Sequence, residues 1–421
     1  MAGRMVLILT AVSAAVGADT SASVTYQVFA LLFLLVVTSF FISLTNRKKP
    51  QITRRLPVMA TAGMELSYPV EVTIKSRRPI EGVFIAELGP DPRPTFTEFA
   101  NIREPGEEKR NWVDRMYAYY RWKWQLQRNR SLEADTSRKF TLFGDRVNTL
   151  RVSLIPLKRG VMKLHEIVIG IPDPLGLTYS LHVLKVPQSI LVLPERIPMP
   201  AYEFPGASNP NNGSMARGST GGTEEDFINL RDYRPGDALK QIHWFTSAKA
   251  RKLIVREYQT TSRARCGIIL DTCCPVSRAF DFEKLVIVAS SIAGAGEVGQ
   301  IDLDFLFVGT EAYCFSTGPG QGDVSQLMEV LATVEYSGDD MWAPLVEVVE
   351  ENSEKLQGAT VLTMHWDEDR KALARYLTLN GIPSQIFVLT ESSQSDFSPD
   401  EEFPQVVFLD PDQLKFQLNS L

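Results

Sequence analysis

At 421 residues the chain exceeds one ordinary hydrophobic core, so two or three folded units are expected. A hydrophobic fraction of 44% with 22% charged residues excludes a disordered or fibrous protein, and four cysteines, two of them adjacent, exclude a disulfide framework. The net charge of −6 hides an asymmetry: from Cys266 onward 7 basic residues face 26 acidic ones, against 37 and 24 before it.

The first 46 residues read as a membrane anchor. Val24 to Leu44, "VTYQVFALLFLLVVTSFFISL", carries no charge and is long enough to cross a bilayer as a helix. Arg47, Lys48 and Lys49 follow, a flank that favours the cytoplasmic side. The apolar run "MVLILTAVSAAVGA" before it is short. It reads as the first arm of a helical hairpin; the alternative is a cleaved signal, since "AVGA" offers small residues before Asp19. Either way, the chain from residue 47 is expected in the cytoplasm, held at the inner (plasma) membrane.

Residues 47–193 alternate apolar and polar positions in short runs broken by Gly and Pro, as in Val70, Val72 and Ile74. That pattern predicts an antiparallel β-sandwich of immunoglobulin-like size. A basic aromatic insertion interrupts it at about 108–132. Between Lys109 and Arg130 it holds seven basic residues and one acid, Asp114, with Trp112, Met116, Tyr120 and Trp124 at four-residue spacing on one predicted helix face. Trp112, Tyr120, Arg121, Lys123, Trp124 and Arg128 are candidates for contact with lipid headgroups. An arm covering the sandwich, its charges solvated, is the plainer reading; nucleic acid is disfavoured because no recognised nucleic-acid fold surrounds the segment.

Residues 194–223, rich in Pro, Gly, Asn and Ser, read as a linker. Residues 224–260 open with "EEDFINLRDYRPGDALKQIHWFTSAKA". Pro235-Gly236 suits a type II turn, Asp237 can cap a helix, and the apolar spacing predicts that helix to about Ala250, followed by a strand. Asp237, His243 and Ser247 are the residue types of a hydrolase triad, but no nucleophile elbow accompanies them. Arg231, Arg234 and Lys240 give the corner a charged docking face.

Residues 261–421 alternate strands and helices, which predicts a parallel sheet covered on both faces. Its first strand, "CGIILD", ends in Asp271-Thr272-Cys273-Cys274-Pro275, and a later one ends "LTMHWD".

Asp226-Phe227, Leu230-Arg231, Tyr233, Gly236-Asp237, Ile242, Trp244 and Ser247-Ala248 resemble the signature of the bacterial family known as domain of unknown function 58, with Lys240 at a position that is usually arginine. "KRGVMKLHEIVIGIPDPLGL" is similar to a second stretch of that family, with Leu175 in place of phenylalanine, and the likeness extends over nearly the whole chain. It implies a von Willebrand factor type A-like fold at the C-terminal end and partnership with a MoxR-type AAA ATPase. In that fold D-x-S-x-S holds Mg²⁺. Here Cys273 and Pro275 replace the two serines, and Met364 stands where an aspartate is usual. Thiol and proline are no ligands for a hard cation, so Asp271, Thr272 and Cys273 mark a degenerate site, with no metal or cofactor expected.

The sequence therefore predicts a membrane-anchored scaffold that docks proteins through Arg231, Tyr233, Arg234, Gly236, Asp237, Lys240, His243, Trp244 and Ser247. The alternative is an enzyme, a hydrolase at Asp237, His243 and Ser247 or a redox-sensitive one at Cys273 and Cys274.

Overall fold

Apolar segments open the chain: α1 (Ala2–Val16) and α2 (Ser23–Thr45) are helices without an acidic residue in the first turn or a basic one in the last. Only α2, over Val24–Ser43, is long and apolar enough to cross a membrane among the described residues. The computed structural model describes residues 2–16, 23–45, 50–207, 225–234, 242–260, 264–274, 278–296, 301–309, 312–316, 324–337, 341–390 and 402–420. The chain divides into two compact units, Met1–Glu195 and Arg196–Leu421.

In the first unit nine strands make two sheets. β1 (Gln51–Arg54), β3 (Leu66–Thr73), β7 (Val147–Pro156) and β5 (Leu132–Ala134) form one, in the order β1-β3-β7-β5. β2 (Met59–Thr61), β9 (Tyr179–Leu193), β8 (Gly160–Pro172), β4 (Ile80–Leu88) and β6 (Phe140–Leu142) form the other, in the order β2-β9-β8-β4-β6. Apart from β2 with β9, which are parallel, the pairs are antiparallel. Period-two alternation turns Tyr68, Val70 and Val72 of β3 and Leu164, Ile167 and Ile169 of β8 into one shared core.

That core contains charge. Arg54 Nη1 lies 2.5 Å from Glu87 Oε2, both side chains fully buried, and Tyr68 Oη donates to Glu87 Oε1 at 2.5 Å. Arg54 also donates to the carbonyls of Leu164 and Val186 and, through Nε, to Gln188 Oε1. Burial and the adjacent Glu87 carboxylate push the Tyr68 phenol far above its ordinary range. One guanidinium thus ties β1 to β4, β8 and β9.

The insertion between β4 and β5 carries α3 (Phe96–Asn101), α4 (Trp112–Tyr117) and α5 (Tyr119–Asn129). The single amphipathic helix expected there is not continuous. Ala118 adopts φ 49°, a left-handed conformation that separates α4 from α5, so Trp112 and Met116 do not share a helix with Tyr120 and Trp124.

In the second unit a two-stranded antiparallel ribbon, β10 (Glu225–Asp232) with β11 (Ile254–Thr260), flanks α6 (Trp244–Ala250). The main sheet has β12 (Ala264–Leu270), β13 (Ile301–Val308), β14 (Ala312–Ser316), β15 (Gly358–Thr363), β16 (Ser384–Leu389) and β17 (Val406–Leu409), in the order β14-β13-β12-β15-β16-β17. All neighbours are parallel except the edge strand β14. The helices are α7 (Ala279–Ala295), α8 (Val324–Thr333), α9 (Trp342–Asn352), α10 (Glu368–Leu379) and α11 (Leu414–Asn419). α9 and α10 share one core cluster with β12, β13, β15 and β16.

The first part of the expected linker belongs to this unit. Ile197 and Phe204 are buried, Ile197 N donates to Ser291 Oγ at 2.9 Å, and Tyr202 Oη lies 3.1 Å from Thr360 Oγ1. A Cβ at Gly358 would strike the Pro205 carbonyl, so β15 must begin with glycine for this strap to lie across it. Apolar side chains at 197 and 204, hidden in a Pro-rich stretch without periodicity, drive the packing. Residues 208–223 lie outside the described residues.

Glu87→Ala leaves the Arg54 charge buried without its partner and should destabilise the first unit by about 3–5 kcal/mol. Arg54→Met with Glu87→Leu, which removes both charges, should restore most of that loss, as read from denaturant midpoints of the full chain.

Candidate functional site

The strand order reverses between β12 and β15. Their chains leave the sheet in opposite directions there, so the carboxyl ends of these two strands form the crevice where open α/β sheets bind ligands. Asp271 follows β12 directly and Thr363 ends β15. Asp271 is 0% exposed, and its N–H donates to Leu362 O at 2.9 Å, continuing the ladder.

A buried carboxylate requires compensation, and Asp271 is compensated from within the chain. Its Oδ1 accepts from Cys273 N at 3.0 Å; its Oδ2 accepts from Thr363 Oγ1 at 2.7 Å and from Arg370 Nε at 3.1 Å. Arg370 Nη2 stands 3.1 Å from the same oxygen. Arg370 projects from the first turn of α10, where the Asp367 carboxylate accepts from the helix N–H of Arg370 at 3.0 Å and from its Nη1 at 2.9 Å. The guanidinium carbon lies 4.0 Å from the centre of the Trp342 ring on α9, and the residue is 9% exposed. Fork, face and backbone are all engaged. A fixed organic cation therefore neutralises Asp271 from within the chain.

The expected ligands are committed elsewhere. Thr272 Oγ1 donates to Val308 O at 2.6 Å and lies 3.0 Å from Ser337 Oγ. Cys273 and Cys274 are 2% exposed each; burial and the Asp271 charge push the Cys273 thiol up to about 12, far from the thiolate that nucleophilic or redox chemistry needs. Met364 is buried, and Pro275 lies outside the described residues. Among the described residues no group of three or more His, Cys, Asp or Glu side chains is gathered as for a metal.

His365 borders the crevice, its Nε2 3.5 Å from Arg278 Nη1. Desolvation lowers its pKa, and the Arg278 and Arg370 charges add to this against the opposing carboxylates of Asp271 and Asp367. The shift favours the neutral imidazole.

The signature corner is built differently from the helix expected over 237–250. Ile242 bridges Val255 and His243 N donates to Ile254 O at 2.8 Å, so these residues extend the ribbon and α6 starts only at Trp244. His243 is the N-cap: its Nδ1 accepts from Thr246 N at 3.2 Å. Ser247 Oγ, buried, donates to His243 O at 2.9 Å and accepts from Ile254 N at 2.9 Å. Serine and histidine are therefore bonded to backbone, with the imidazole turned toward Thr246. Gly236, Asp237 and Lys240 lie outside the described residues. Tyr233 N donates to Leu253 O at 2.9 Å, Arg231 Nη1 to Asp232 O at 3.3 Å, and Lys252 pairs with Asp232 at 2.8 Å; Arg234 is exposed. The corner presents outward both aromatic and basic side chains: Trp244 is 65% and Phe245 80% exposed, and Arg234, Lys249, Arg251 and Lys252 are exposed beside them.

On the arm, Arg121 is internal: it pairs with Glu107, holding that carboxyl below its usual range, and its guanidinium lies 5.5 Å from the Phe99 ring. Tyr120 stacks under Arg110 at 4.2 Å and Trp124 under Arg128 at 5.4 Å. Trp112 and Lys123 are exposed, as is Trp122, which the four-residue spacing had left out.

Arg370 and Trp342 were not singled out in the sequence. A signal existed: Arg370 occupies the first place of the apolar stripe completed by Leu373, Ala374 and Leu377, all buried. An arginine on a buried stripe requires an anion.

No family model matches the sequence, and no curated protein matches it. Among solved structures, the chain is similar over 37% of its length to 56% of a protein of unknown function from Porphyromonas gingivalis W83, at 13% identity and TM-score 0.17. A mutant of the SrpA adhesin from Streptococcus sanguinis aligns over 39% of this chain and 70% of its own, at 18% identity and TM-score 0.18. A cohesin module of a Clostridium perfringens family 33 glycoside hydrolase aligns over 35% and 99%, at 12% identity and TM-score 0.16.

Two outcomes are expected of this crevice. Arg370→Ala strands the Asp271 charge and should cost about 3–5 kcal/mol, while millimolar Mg²⁺ should leave the melting temperature of the unaltered chain unchanged. For His365, the folded pKa is depressed, so the unfolded chain binds the proton more readily. Its contribution to stability is present above about pH 6.5, the ordinary histidine value, and is lost as pH falls from there toward the folded pKa. Melting temperature should accordingly drop from pH 7 to 5, and less steeply in His365→Gln.

Proposed function

We propose that this chain is a membrane-anchored adaptor that works by surface contact. α2 is the membrane-spanning segment, and the Arg47-Lys48-Lys49 flank puts the two units on the cytoplasmic side of a plasma membrane. The first unit is read as immunoglobulin-like, on two sheets over one core; the second as von Willebrand A-like, on its strand order and antiparallel edge strand. The observation that carries the function is the Asp271–Arg370 pair. It places an internal cation at the switch point of the sheet, where the Asp271 carboxylate is paired and the Cys273 thiol is held protonated.

The docking face is the signature corner, where Trp244 and Phe245 stand on a capped helix braced by Ser247. Exposed aromatics on a rigid support are typical binding anchors. The resemblance to the domain of unknown function 58 family nominates a MoxR-type AAA ATPase as the protein docked.

Crosslinking in intact membranes, followed by capture of the full chain, tests this. Trp244→Ala with Phe245→Ala should reduce recovery of the ATPase about ten-fold or more without moving the melting temperature. Undiminished recovery would remove the corner from the account. A hydrolytic turnover abolished by Ser247→Ala in a protein that stays folded would replace the adaptor by an enzyme.

A further inference from the structure

The turn from β8 into β9 is bonded to the anchor helix. Ser39 Oγ of α2, fully buried, donates to Asp173 Oδ2 at 2.5 Å and lies 3.0 Å from Thr178 Oγ1. Four residues further along α2, Ser43 Oγ lies 2.9 Å from Ser180 Oγ. The helix and the start of β9 therefore climb side by side, with the turn at the lower end. The apolar span of α2 runs to Ser43. Ser39 lies four residues inside it, about 6 Å at 1.5 Å per residue, and so does the turn that Ser39 holds. α1 meets the same turn, since Gly3 approaches the Leu177 carbonyl so closely that a Cβ there would collide with it.

The composition and bonding of the turn suit that depth. From Pro174 to Leu184 there is no Asp, Glu, Lys or Arg, and Leu175, Tyr179 and Leu181 are 46%, 40% and 62% exposed. Backbone groups leaving water must be bonded internally. Here Leu177 N and Thr178 N donate to Asp173 Oδ1 at 2.7 and 3.1 Å, Gly176 N donates to Asp173 O at 3.0 Å, and Asp173 N donates to Thr178 O at 3.0 Å. Pro174 has no N–H. The one charge, the Asp173 carboxylate, is buried and receives two of these donors, Leu177 N and Thr178 N, as well as Ser39 Oγ.

Cations stand above the turn. Lys139 Nζ lies 5.1 Å from the centre of the Tyr179 ring. Gly82 faces Pro172, which places the β3–β4 loop, with exposed Arg77 and Arg78, at this same end of the sandwich. The aromatic arm leaves β4 at Leu88, paired with Glu166, about 20 Å along the strands from Pro172 at 3.3 Å per residue.

We propose that the Asp173–Thr178 turn is a membrane wedge, inserted at the boundary of headgroups and acyl chains beside α2, with Arg77 and Arg78 against anionic phospholipid. This rests on reading α2 as membrane-spanning, and the test separates the two. The full chain carrying Cys314→Ser, which removes its exposed cysteine, is reconstituted in phosphatidylcholine–phosphatidylglycerol vesicles with one fluorophore at Leu34→Cys, Leu175→Cys or Leu379→Cys. Leu34 marks the span and Leu379, 86% exposed, marks water. Leu175 should be quenched by a nitroxide near the top of the acyl chain and shielded several-fold from aqueous iodide relative to Leu379. Adding Asp173→Ala, which releases the turn from Ser39, should return Leu175 toward the iodide access of Leu379. Lipid quenching at Leu34 with Leu175 as open to iodide as Leu379 overturns the wedge and leaves the anchor standing. Absence of lipid quenching at Leu34 overturns both.

Discussion

A carboxylate sealed from water at the end of a β-strand has to be matched by positive charge, or it gives up its proton-free state. In the second unit the match is a guanidinium fixed on three sides: by Asp271, by the helix-capping Asp367 and by the face of Trp342. The rest of the sheet end follows. Because Oδ2 is taken by Arg370 and Thr363, and Oδ1 by the backbone of Cys273, the loop after β12 is held without an ion. Because that loop is held, Cys273 and Cys274 stay buried, and the thiol of Cys273 stays protonated. A metal ligated by the same carboxylate would be exchangeable and sensitive to pH and chelators; an arginine on a helix is neither. The arrangement converts a ligand-binding edge into a brace.

The sandwich solves a similar problem with a similar group. Arg54 neutralises Glu87 inside the core and satisfies two backbone carbonyls, so it joins strands that are far apart in sequence. Buried pairs of this kind contribute little net stability compared with apolar residues of equal volume, but losing one partner is severe. Their effect is on register: β1 slipped by one residue would turn Arg54 to the opposite face and leave Glu87 unpaired in the core. The same logic applies to the close backbone approaches, where Gly170 admits the Phe84 ring and Gly358 admits the Pro205 carbonyl.

How much of this was legible depended on whether the signal was periodic. Alternation and apolar runs made β3 legible at Val70 and Val72, β12 in "CGIILD", and the spanning length of α2, because burial of one face imposes its period on the sequence. Non-periodic devices were not visible. Ala118 breaks the arm with a left-handed residue that carries no glycine or asparagine mark, so two helices read as one. α9 begins with Pro344 in its first turn, where proline is tolerated, and Leu345, Val348 and Val349 reveal it only once that is recognised. Within the candidate site, Asp271-Thr272-Cys273 was legible because the three residues are contiguous, whereas Arg370 lies 99 residues away and no local pattern links the two. The corner is a mixed case. Its residues were identified, but His243 proved to cap α6, since the strand pairing of Ile242 holds the preceding backbone extended.

Four candidate groups of the second unit, Asp271, Cys273, His243 and Ser247, are each buried or engaged in structure. Catalysis requires a group whose charge can change near neutral pH and whose reacting atom meets a substrate. Cys273 fails the first condition, Asp271 and Ser247 fail the second, and His243 has its ring nitrogen in a helix cap. His365 meets the first in part, but its Nε2 faces an arginine, which opposes the protonation a general base must undergo. Two exposed apolar surfaces stand on well-braced backbone: Trp244 and Phe245 at the corner, and the uncharged turn beside α2. Surfaces of that kind gain free energy by leaving water, in contact with a protein or with lipid, and need no reactive group to do so. The two fixed internal cations, Arg54 and Arg370, are each committed to holding a framework, and the proposed association falls to surface that they do not occupy.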